Sequence, residues 1–380
     1  MKKQKHYVIL SASTGAGHIR AAEALEKCAA ERYPDIKVTH IDAMKYVTRL
    51  FKGIYAGTYM GLARNHQEIW GYIYNKTDRS PNDLRLRKLR LLLQKFNMGS
   101  LKKKFLELNP DHVICTHFLP AEMLDRAISK KIVIPGRKKL PPISVVVTDF
   151  DVHWMWTLKN LNQFFVANEE AQLRLASRGI KSKIIHNTGI PVCPEFGKKY
   201  NKKRAKQALG LNPEKITVLL MAGGYGVGNI DETAERLIKD ISDIQIIGIA
   251  GRNKDLEKSL QKVSNKYKGK ILGVGFTTEV EKYMAASDIV ITKTGGLTSS
   301  ECLAIGRPMI VINPIPGQEE RNATYLMEHG VAVMAYDQVG LDYKLKNIIA
   351  APGRLAKMQK AARAIGKPTA GFDIWEKIIG

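Results

Sequence analysis

Cysteine is scarce in this chain of 380 residues: Cys28, Cys115, Cys193 and Cys302 lie far apart, with no C-x-x-C pair and no histidine-rich spacing beside them. That argues against a structural zinc site or a disulfide framework and points to a reducing compartment. Long apolar runs are missing too. No stretch approaches the roughly 18 consecutive apolar residues that a membrane-crossing helix needs. The basic start, Met1 to Leu10, leads into an apolar run only as long as a strand, so no signal peptide is read there. Acidic residues are outnumbered, 36 against 60 basic ones, for a formal net charge of +24. Such a chain is drawn to polyanions: nucleic acid, anionic lipid surfaces or phosphorylated substrates. No recognisable nucleic-acid module accompanies the charge, and no nucleic-acid partner is expected. A G-x-G-x-x-G fingerprint is also absent, which disfavours nicotinamide binding.

What is present, 44% hydrophobic and 25% charged residues, is the composition of a globular protein. The length allows two domains with a core each. Tyr7 to Ser11 has a buried-strand pattern, followed by Ser13-Thr14-Gly15-Ala16-Gly17-His18 and a helical stretch, Ile19 to Arg32. Strand, glycine turn and helix make a Rossmann-like opening unit. Gly15 and Gly17 let backbone approach a ligand, and His18 enters the helix from the same loop; a lone histidine is more often structural. Residues 46–105 break the alternation. Tyr46 to Tyr74 is aromatic and sparsely charged, and from Arg79 to Lys104 nine basic residues and one acid, Asp83, interleave with Leu86, Leu89, Leu93 and Phe96 at helical spacing. The pattern suits an interfacial helix on anionic lipid, with Arg85, Lys88 and Arg90 toward the headgroups at roughly 1 kcal/mol each. A core-packed helix with a solvated basic face fits it as well.

His112 to Cys115 and Ile143 to Thr148 read as parallel strands, separated by a helix over Ala121 to Ser129. Thr116-His117-Phe118 follows the first strand, and Thr148-Asp149-Phe150-Asp151-Val152-His153-Trp154-Met155-Trp156 ends the second. Carboxyl strand ends are where open α/β sheets hold ligands. Asp149, Asp151 and His153 admit a metal reading, disfavoured because glycine loops and helix starts already suit a diphosphate. Trp154 and Trp156 suit either core packing or the lining of an acceptor site.

Gly189 to Pro194 looks like an exit into a linker, and the charged, poorly periodic Gly197 to Lys206 like a hinge. The strand series restarts at Ile216 to Met221, before a loop with four glycines that includes Gly223 and Gly224. Further strands follow at Ile244 to Ala250, Ile271 to Phe276 and Ile289 to Thr292. The last runs into Gly295-Gly296, opening a helix whose first turn carries Thr298, Ser299 and Ser300. Free N–H groups and the dipole at such a helix start bind a phosphate without a lysine. Glu301, one turn in, can accept two sugar hydroxyls. After a second apolar run, Met309 to Ile312, a Pro-rich loop brings Gln318, Glu319 and Asn322, groups of the kind that grip a hexose. Diphosphate, ribose and hexose together suggest a nucleotide sugar.

The ordered string from 291 to 323 resembles the donor signature of the glycosyltransferases that include monogalactosyldiacylglycerol synthases, processive diacylglycerol glucosyltransferases and the peptidoglycan N-acetylglucosaminyltransferase. The first half is similar to the monogalactosyldiacylglycerol synthase domain through Gly15-Ala16-Gly17-His18, Asp42 to Tyr74, the Thr148-Asp149-Phe150 cluster and Gly189-Ile190-Pro191. One departure is Trp154 after His153, where the galactolipid synthases commonly have Pro. The resemblance implies an α/β GT-B fold, two Rossmann-like domains with parallel sheets facing across a cleft. It places an acceptor domain at 1–196, a donor domain at 197–368 and a closing helix, 369–380, that packs back on the first. It further implies inverting transfer of a hexose, glucose before galactose, from a UDP-sugar to diacylglycerol at the cytoplasmic face of a membrane, with no metal or other cofactor required. Gly296, Leu297 and Thr298, beside Gly295, match its diphosphate loop, Glu301 its ribose carboxylate, and Gln318 and Glu319 its hexose grip. Phe276 and Thr277 match the uracil segment, Gly223 and Gly224 the second glycine loop, His18 the cleft base or diphosphate contact, and Trp156 an acceptor-side tryptophan. Asp149 or Asp151 would orient His18 or act as the base. Two rivals remain at this level: a soluble nucleotide-sugar epimerase of the same fold, and a non-catalytic basic protein that binds membrane or nucleic acid.

Overall fold

The computed structural model describes residues 4–48, 67–79, 99–131, 139–221 and 229–380. It divides into two compact units: Met1–Pro194 with Ile315–Arg321 and Thr369–Gly380, and Glu195–Pro314 with Asn322–Pro368. The segment 315–321 thus counts with the first unit although its sequence neighbours lie in the second.

In the first unit the described elements are β1 (His6–Ser11), α1 (Ala16–Arg32), β2 (Lys37–Asp42), α2 (Gln67–Arg79), α3 (Gly99–Leu108), β3 (His112–Cys115), α4 (Phe118–Ser129), β4 (Ile143–Val146), β5 (Gln163–Val166), α5 (Glu169–Ser177) and β6 (Ile185–Asn187). The strands form one parallel sheet in the order β2-β1-β3-β4-β5-β6. Its central strands are apolar on both faces because crossover helices cover both. Alternation sorts them: Tyr7 and Ile9 join Leu25, Ile114 and Phe165 on one side, while Val8 and Leu10 join Val113, Cys115 and Phe164 on the other.

The second unit holds α6 (Lys202–Ala208), β7 (Ile216–Met221), α7 (Ile230–Asp240), β8 (Ile244–Ile249), α8 (Lys254–Lys266), β9 (Ile271–Val274), α9 (Val280–Ala286), β10 (Ile289–Thr292), α10 (Gly296–Ile305), β11 (Met309–Ile312), β12 (Ala332–Ala335), α12 (Gln338–Ala350) and α13 (Arg354–Ile365), with α11 (Gln318–Glu328) between β11 and β12. Its sheet is also parallel, in the order β12-β11-β10-β7-β8-β9. The winding reverses between β1 and β3 in the first sheet and between β7 and β10 in the second. Crevices for ligands open at such reversals, beyond the carboxyl ends of the strands.

The stretch read as a hinge is partly helical. Asn201 caps α6, its Oδ1 accepting from the Arg204 amide at 3.1 Å, and Lys206, only 2% exposed, donates to Asp288 Oδ2 at 2.7 Å and to the Lys215 carbonyl at 2.6 Å. A helix of seven residues is too short to show a period, and a buried lysine makes sense only with a partner far along the chain. The strands β2, β6 and β12 escaped the sequence reading because they are short or, like Lys37–Asp42 at the sheet edge, largely polar.

The last helix, α14 (Ala370–Ile379), packs on α1 within the first unit. Trp375 is fully buried, meets Tyr7 edge-on at 5.2 Å and donates Nε1–H to the Leu25 carbonyl at 2.8 Å. A Cβ at Gly371 would come within 2.5 Å of Cys28 Sγ, so only glycine admits this approach. Trp375→Ala is expected to cost about 3–5 kcal/mol of unfolding free energy. Urea unfolding checks this, and a loss below about 1 kcal/mol would mean that the helix is dispensable.

Candidate functional site

Three loops at the reversal in the first sheet converge on His18. The β1–α1 loop is tied down by Asp42, whose Oδ1 accepts from the Ser13 and Met44 amides, each at 3.0 Å. Asp42 closes β2, and its carboxylate is engaged in holding the loop. Gly15 caps α1 with no side-chain bond, and a Cβ there would meet nothing within 4 Å, which leaves the approach to the helix start open. His18 Nδ1 lies 2.8 Å from the Thr116 carbonyl and 3.0 Å from Thr148 Oγ1. A carbonyl oxygen can only accept, so the proton sits on Nδ1 and Nε2 carries the lone pair. Nε2 has no hydrogen-bond partner among the described residues. Desolvation pushes the ring down to about 4, the Thr116 bond working weakly the other way, so His18 is neutral near pH 7.

His117 stands edge-on to His18, with ring centroids 4.4 Å apart. Its Nδ1 accepts from the Leu119 amide at 3.0 Å, capping α4, so its Nε2–H donates to Thr14 Oγ1, also at 3.0 Å. Burial first, and then the neighbouring His18, hold this ring far below its ordinary value.

The acids after β4 do other work than expected. No carboxylate among the described residues hydrogen-bonds His18, so neither Asp149 nor Asp151 orients it. Asp149 accepts from Gln318 Nε2 with both oxygens at 2.8 Å. Because a carboxylate only accepts, the amide nitrogen must face it and Gln318 Oε1 points away, available to accept. Asp151 is an anchor, taking Arg174 Nε at 2.9 Å and Arg321 Nη1 at 2.7 Å. Arg321 also reaches Asp78 Oδ2 at 2.6 Å and lies over the Tyr74 ring. Burial raises Asp78, but the Arg321 hydrogen bond, His153 and the Trp154 amide outweigh it and hold the acid below the usual carboxylate range. His153 is no metal ligand here: Nδ1 accepts from the Met155 amide at 3.2 Å and Nε2 donates to the Tyr74 carbonyl at 3.1 Å. Among the described residues no group of three or more His, Cys, Asp and Glu is placed to hold a metal. Trp154 is partly exposed beneath Arg178, whereas Trp156 is 3% exposed in the core against Phe118. Of the two readings open to Trp156, core packing is the one its apolar neighbours match.

In the second unit Gly295 caps α10 without a side chain, and the first intrahelical bond runs from the Ser299 amide to the Gly295 carbonyl. The amides of Gly296, Leu297 and Thr298 are thus those that α10 itself leaves unused. Glu301 is buried one turn in. Phe276, just past β9, is 51% exposed and carries the Arg252 guanidinium 4.9 Å from its ring centre, and Thr277 Oγ1 accepts from the Glu279 amide. Glu319 caps α11 through the Ile315 amide at 2.8 Å. Gly223, Gly224, Arg85, Lys88 and Arg90 lie outside the described residues. Thr14, His117 and Thr148 entered the sequence reading only as members of polar clusters after strands, with no role of their own, and Arg321, in the first turn of α11, was given none.

Two family models match consecutive stretches of the chain: Monogalactosyldiacylglycerol (MGDG) synthase over residues 18–192 and Glycosyltransferase family 28 C-terminal domain over residues 217–370. The processive diacylglycerol beta-glucosyltransferase of Bacillus pumilus is 26% identical over 393 residues, spanning 100% of this chain and 96% of its own length. That of Bacillus cereus strain AH187 is 27% identical over 391 residues, spanning 100% and 94%. Among solved structures, MurG of Acinetobacter baumannii superimposes with a TM-score of 0.59 at 14% identity, over 98% of this chain and 99% of that one. UDP-GlcNAc 2-epimerase of Neisseria meningitidis, bound to UDP-GlcNAc, does so at 0.57 and 16% identity, over 99% and 100%. These last two likenesses show the fold, GT-B, with its two Rossmann-like units.

Burial drives His112, at the start of β3, down to about 4 as it does His18. Below pH 6.5 the unfolded chain takes up protons that these folded rings refuse. Their contribution to stability is therefore full above 6.5 and lost as pH falls toward 4. The urea midpoint is expected to drop already between pH 6.5 and about 4.5, before most carboxylates titrate. A flat midpoint across that window would mean that the rings charge in the folded protein.

Proposed function

The chain belongs to the glycosyltransferase family of the monogalactosyldiacylglycerol synthases, and on that premise we propose that it transfers a hexose from a UDP-sugar to the hydroxyl of diacylglycerol, forming a membrane glycolipid. The observation that carries this reading is the consecutive match of an acceptor-side and a donor-side family model along one chain. Glucose is the favoured sugar, since the full-length relatives are named glucosyltransferases. The epimerase alternative has only a fold-level likeness in its favour, and a non-catalytic role leaves the neutral His18, with Nδ1 held and Nε2 unpartnered among the described residues, without a task.

In the proposed reaction Nε2 of His18 takes the proton of the lipid hydroxyl as its oxygen attacks C1 of the hexose. The new O–C1 bond forms as the bond from C1 to the phosphate oxygen breaks, with inversion, and UDP leaves with the electron pair. The amides of Gly296, Leu297 and Thr298, with the α10 dipole, meet the charge that develops on the diphosphate. Glu301 accepts the ribose hydroxyls, and Phe276 with Thr277 packs the uracil. Gln318 presents Oε1 to a hexose hydroxyl, with Glu319 beside it, and Gly223 and Gly224 line the second glycine loop. No helix among the described residues is long and apolar enough to cross a membrane. Access to the lipid is read as peripheral, at the cytoplasmic face. Arg85, Lys88 and Arg90 contribute electrostatic attraction to anionic lipid, and Ile69 and Tyr72, exposed on α2, contribute apolar contact.

Purified protein incubated with diacylglycerol in anionic vesicles is expected to release UDP from UDP-glucose faster than from UDP-galactose. Mass spectrometry of the lipids should show hexosyl-diacylglycerol and count the hexoses attached. If UDP binds but neither donor yields a glycolipid, the acceptor assignment fails. His18→Ala should lower kcat by about 10²–10⁴ with UDP binding retained, and Glu301→Ala should raise the donor KM at least about tenfold, the worth of hydrogen bonds to a charged group. Wild-type turnover in His18→Ala would remove that residue from the role of base.

A further inference from the structure

Among the described residues no carboxylate orients His18. We infer that Thr148 and His117 are positioning residues that hold His18 with its proton on Nδ1 and its lone pair on Nε2. The inference rests on reading His18 as the base. A histidine that accepts a proton at Nε2 needs Nδ1 protonated beforehand, and the ring can otherwise flip or exchange tautomers. The Thr116 carbonyl at 2.8 Å sets the tautomer, and Thr148 Oγ1 at 3.0 Å shares the same Nδ1 proton as a second acceptor. Thr148 is 3% exposed, and its hydroxyl has no other partner among the described residues. When Nε2 takes the lipid proton, Nδ1–H becomes the donor of a cation, and two neutral oxygens receive it where many enzymes place an aspartate. Thr116 fixes the main chain as well, its Oγ1 donating to the His18 carbonyl at 2.9 Å.

His117 supplies the other restraint. Its ring stands at 80° to that of His18 and is 1% exposed, so it blocks rotation on that side. Both of its nitrogens are committed, one to the Leu119 amide and one to Thr14 in the loop that leads into His18. One buried ring therefore holds both the base and the chain that carries it.

Selective ¹⁵N-histidine labelling of the full chain, with His18→Asn to assign the signals, reports which nitrogen is protonated. At neutral pH His18 is expected as the Nδ1–H form. Thr148→Val should yield a mixture of tautomers and lower kcat about tenfold, one hydrogen bond's worth, with donor KM unchanged; Thr148→Ser should recover most of the loss. His117→Asn, which can still cap α4 but cannot reach Thr14, should show the same split between kcat and KM. An Nε2–H tautomer in the wild type overturns the inference. So does wild-type kcat in both Thr148→Val and His117→Asn while His18→Ala is inactive. Full turnover in His18→Ala would instead overturn the base assignment, and the nitrogen signals would still decide whether Thr148 and His117 orient the ring.

Discussion

Every described strand of both sheets runs parallel to its neighbours, and that single constraint decides where chemistry can take place. Parallel strands require crossovers, the crossover helices bury both sheet faces, and main chain is left free to meet a ligand only at strand ends. At the reversal of the first sheet, the ends of β1, β3 and β4 lie side by side, so Thr116, His117 and Thr148 are brought to the loop of Thr14 and His18 from segments about a hundred residues or more along the chain. At the reversal of the second, the start of α10 presents its unused amides. The first arrangement combines a main-chain carbonyl with side chains from three loops, and the second uses main-chain amides alone.

The basic excess of the chain has little to do with that chemistry. Around His18 the polar groups are neutral, and the nearby arginines are matched against acids. Arg321 bridges Asp78 and Asp151, Arg178 pairs with Asp78, and Arg174 pairs with Asp151. Burial works against the Arg321 charge, but its hydrogen bonds to the two acids outweigh this and raise its pKa above the ordinary value. Breaking such a partly buried network at one member leaves the others uncompensated, which is why it fixes geometry more than it adds stability. Asp151 is consequently a strut between α5 and the segment 315–321. In the second unit Lys206 and Asp288 do comparable work at the foot of β10.

The same segment, 315–321, shows how a local turn serves two purposes. Gly317 has φ +85° and lies so close to Tyr74 that a Cβ would clash with the ring at 2.4 Å. Glu319 and Glu320 reach back to cap the amides of Ile315 and Gly317. The turn thereby begins α11 and leaves Gln318 facing Asp149 with its carbonyl outward. Which end of the Gln318 amide faces outward is a geometric result that residue type alone does not specify.

By itself the sequence determined the alternation of apolar runs and glycine loops, and hence two parallel α/β units with strands such as His112–Cys115, Ile216–Met221, Ile289–Thr292 and Met309–Ile312. It also determined the Gly295-Gly296 helix start and the position of His18, because these are local patterns of burial and of conformational freedom. Tertiary structure alone decided the tautomer of His18, the partnership of Gln318 with Asp149, the burial of Trp156 and the helix at Lys202–Ala208. Each depends on an acceptor, an acid or an apolar wall delivered from far along the chain, and desolvation by those partners, which no local pattern encodes, sets whether a group is charged, open or closed off.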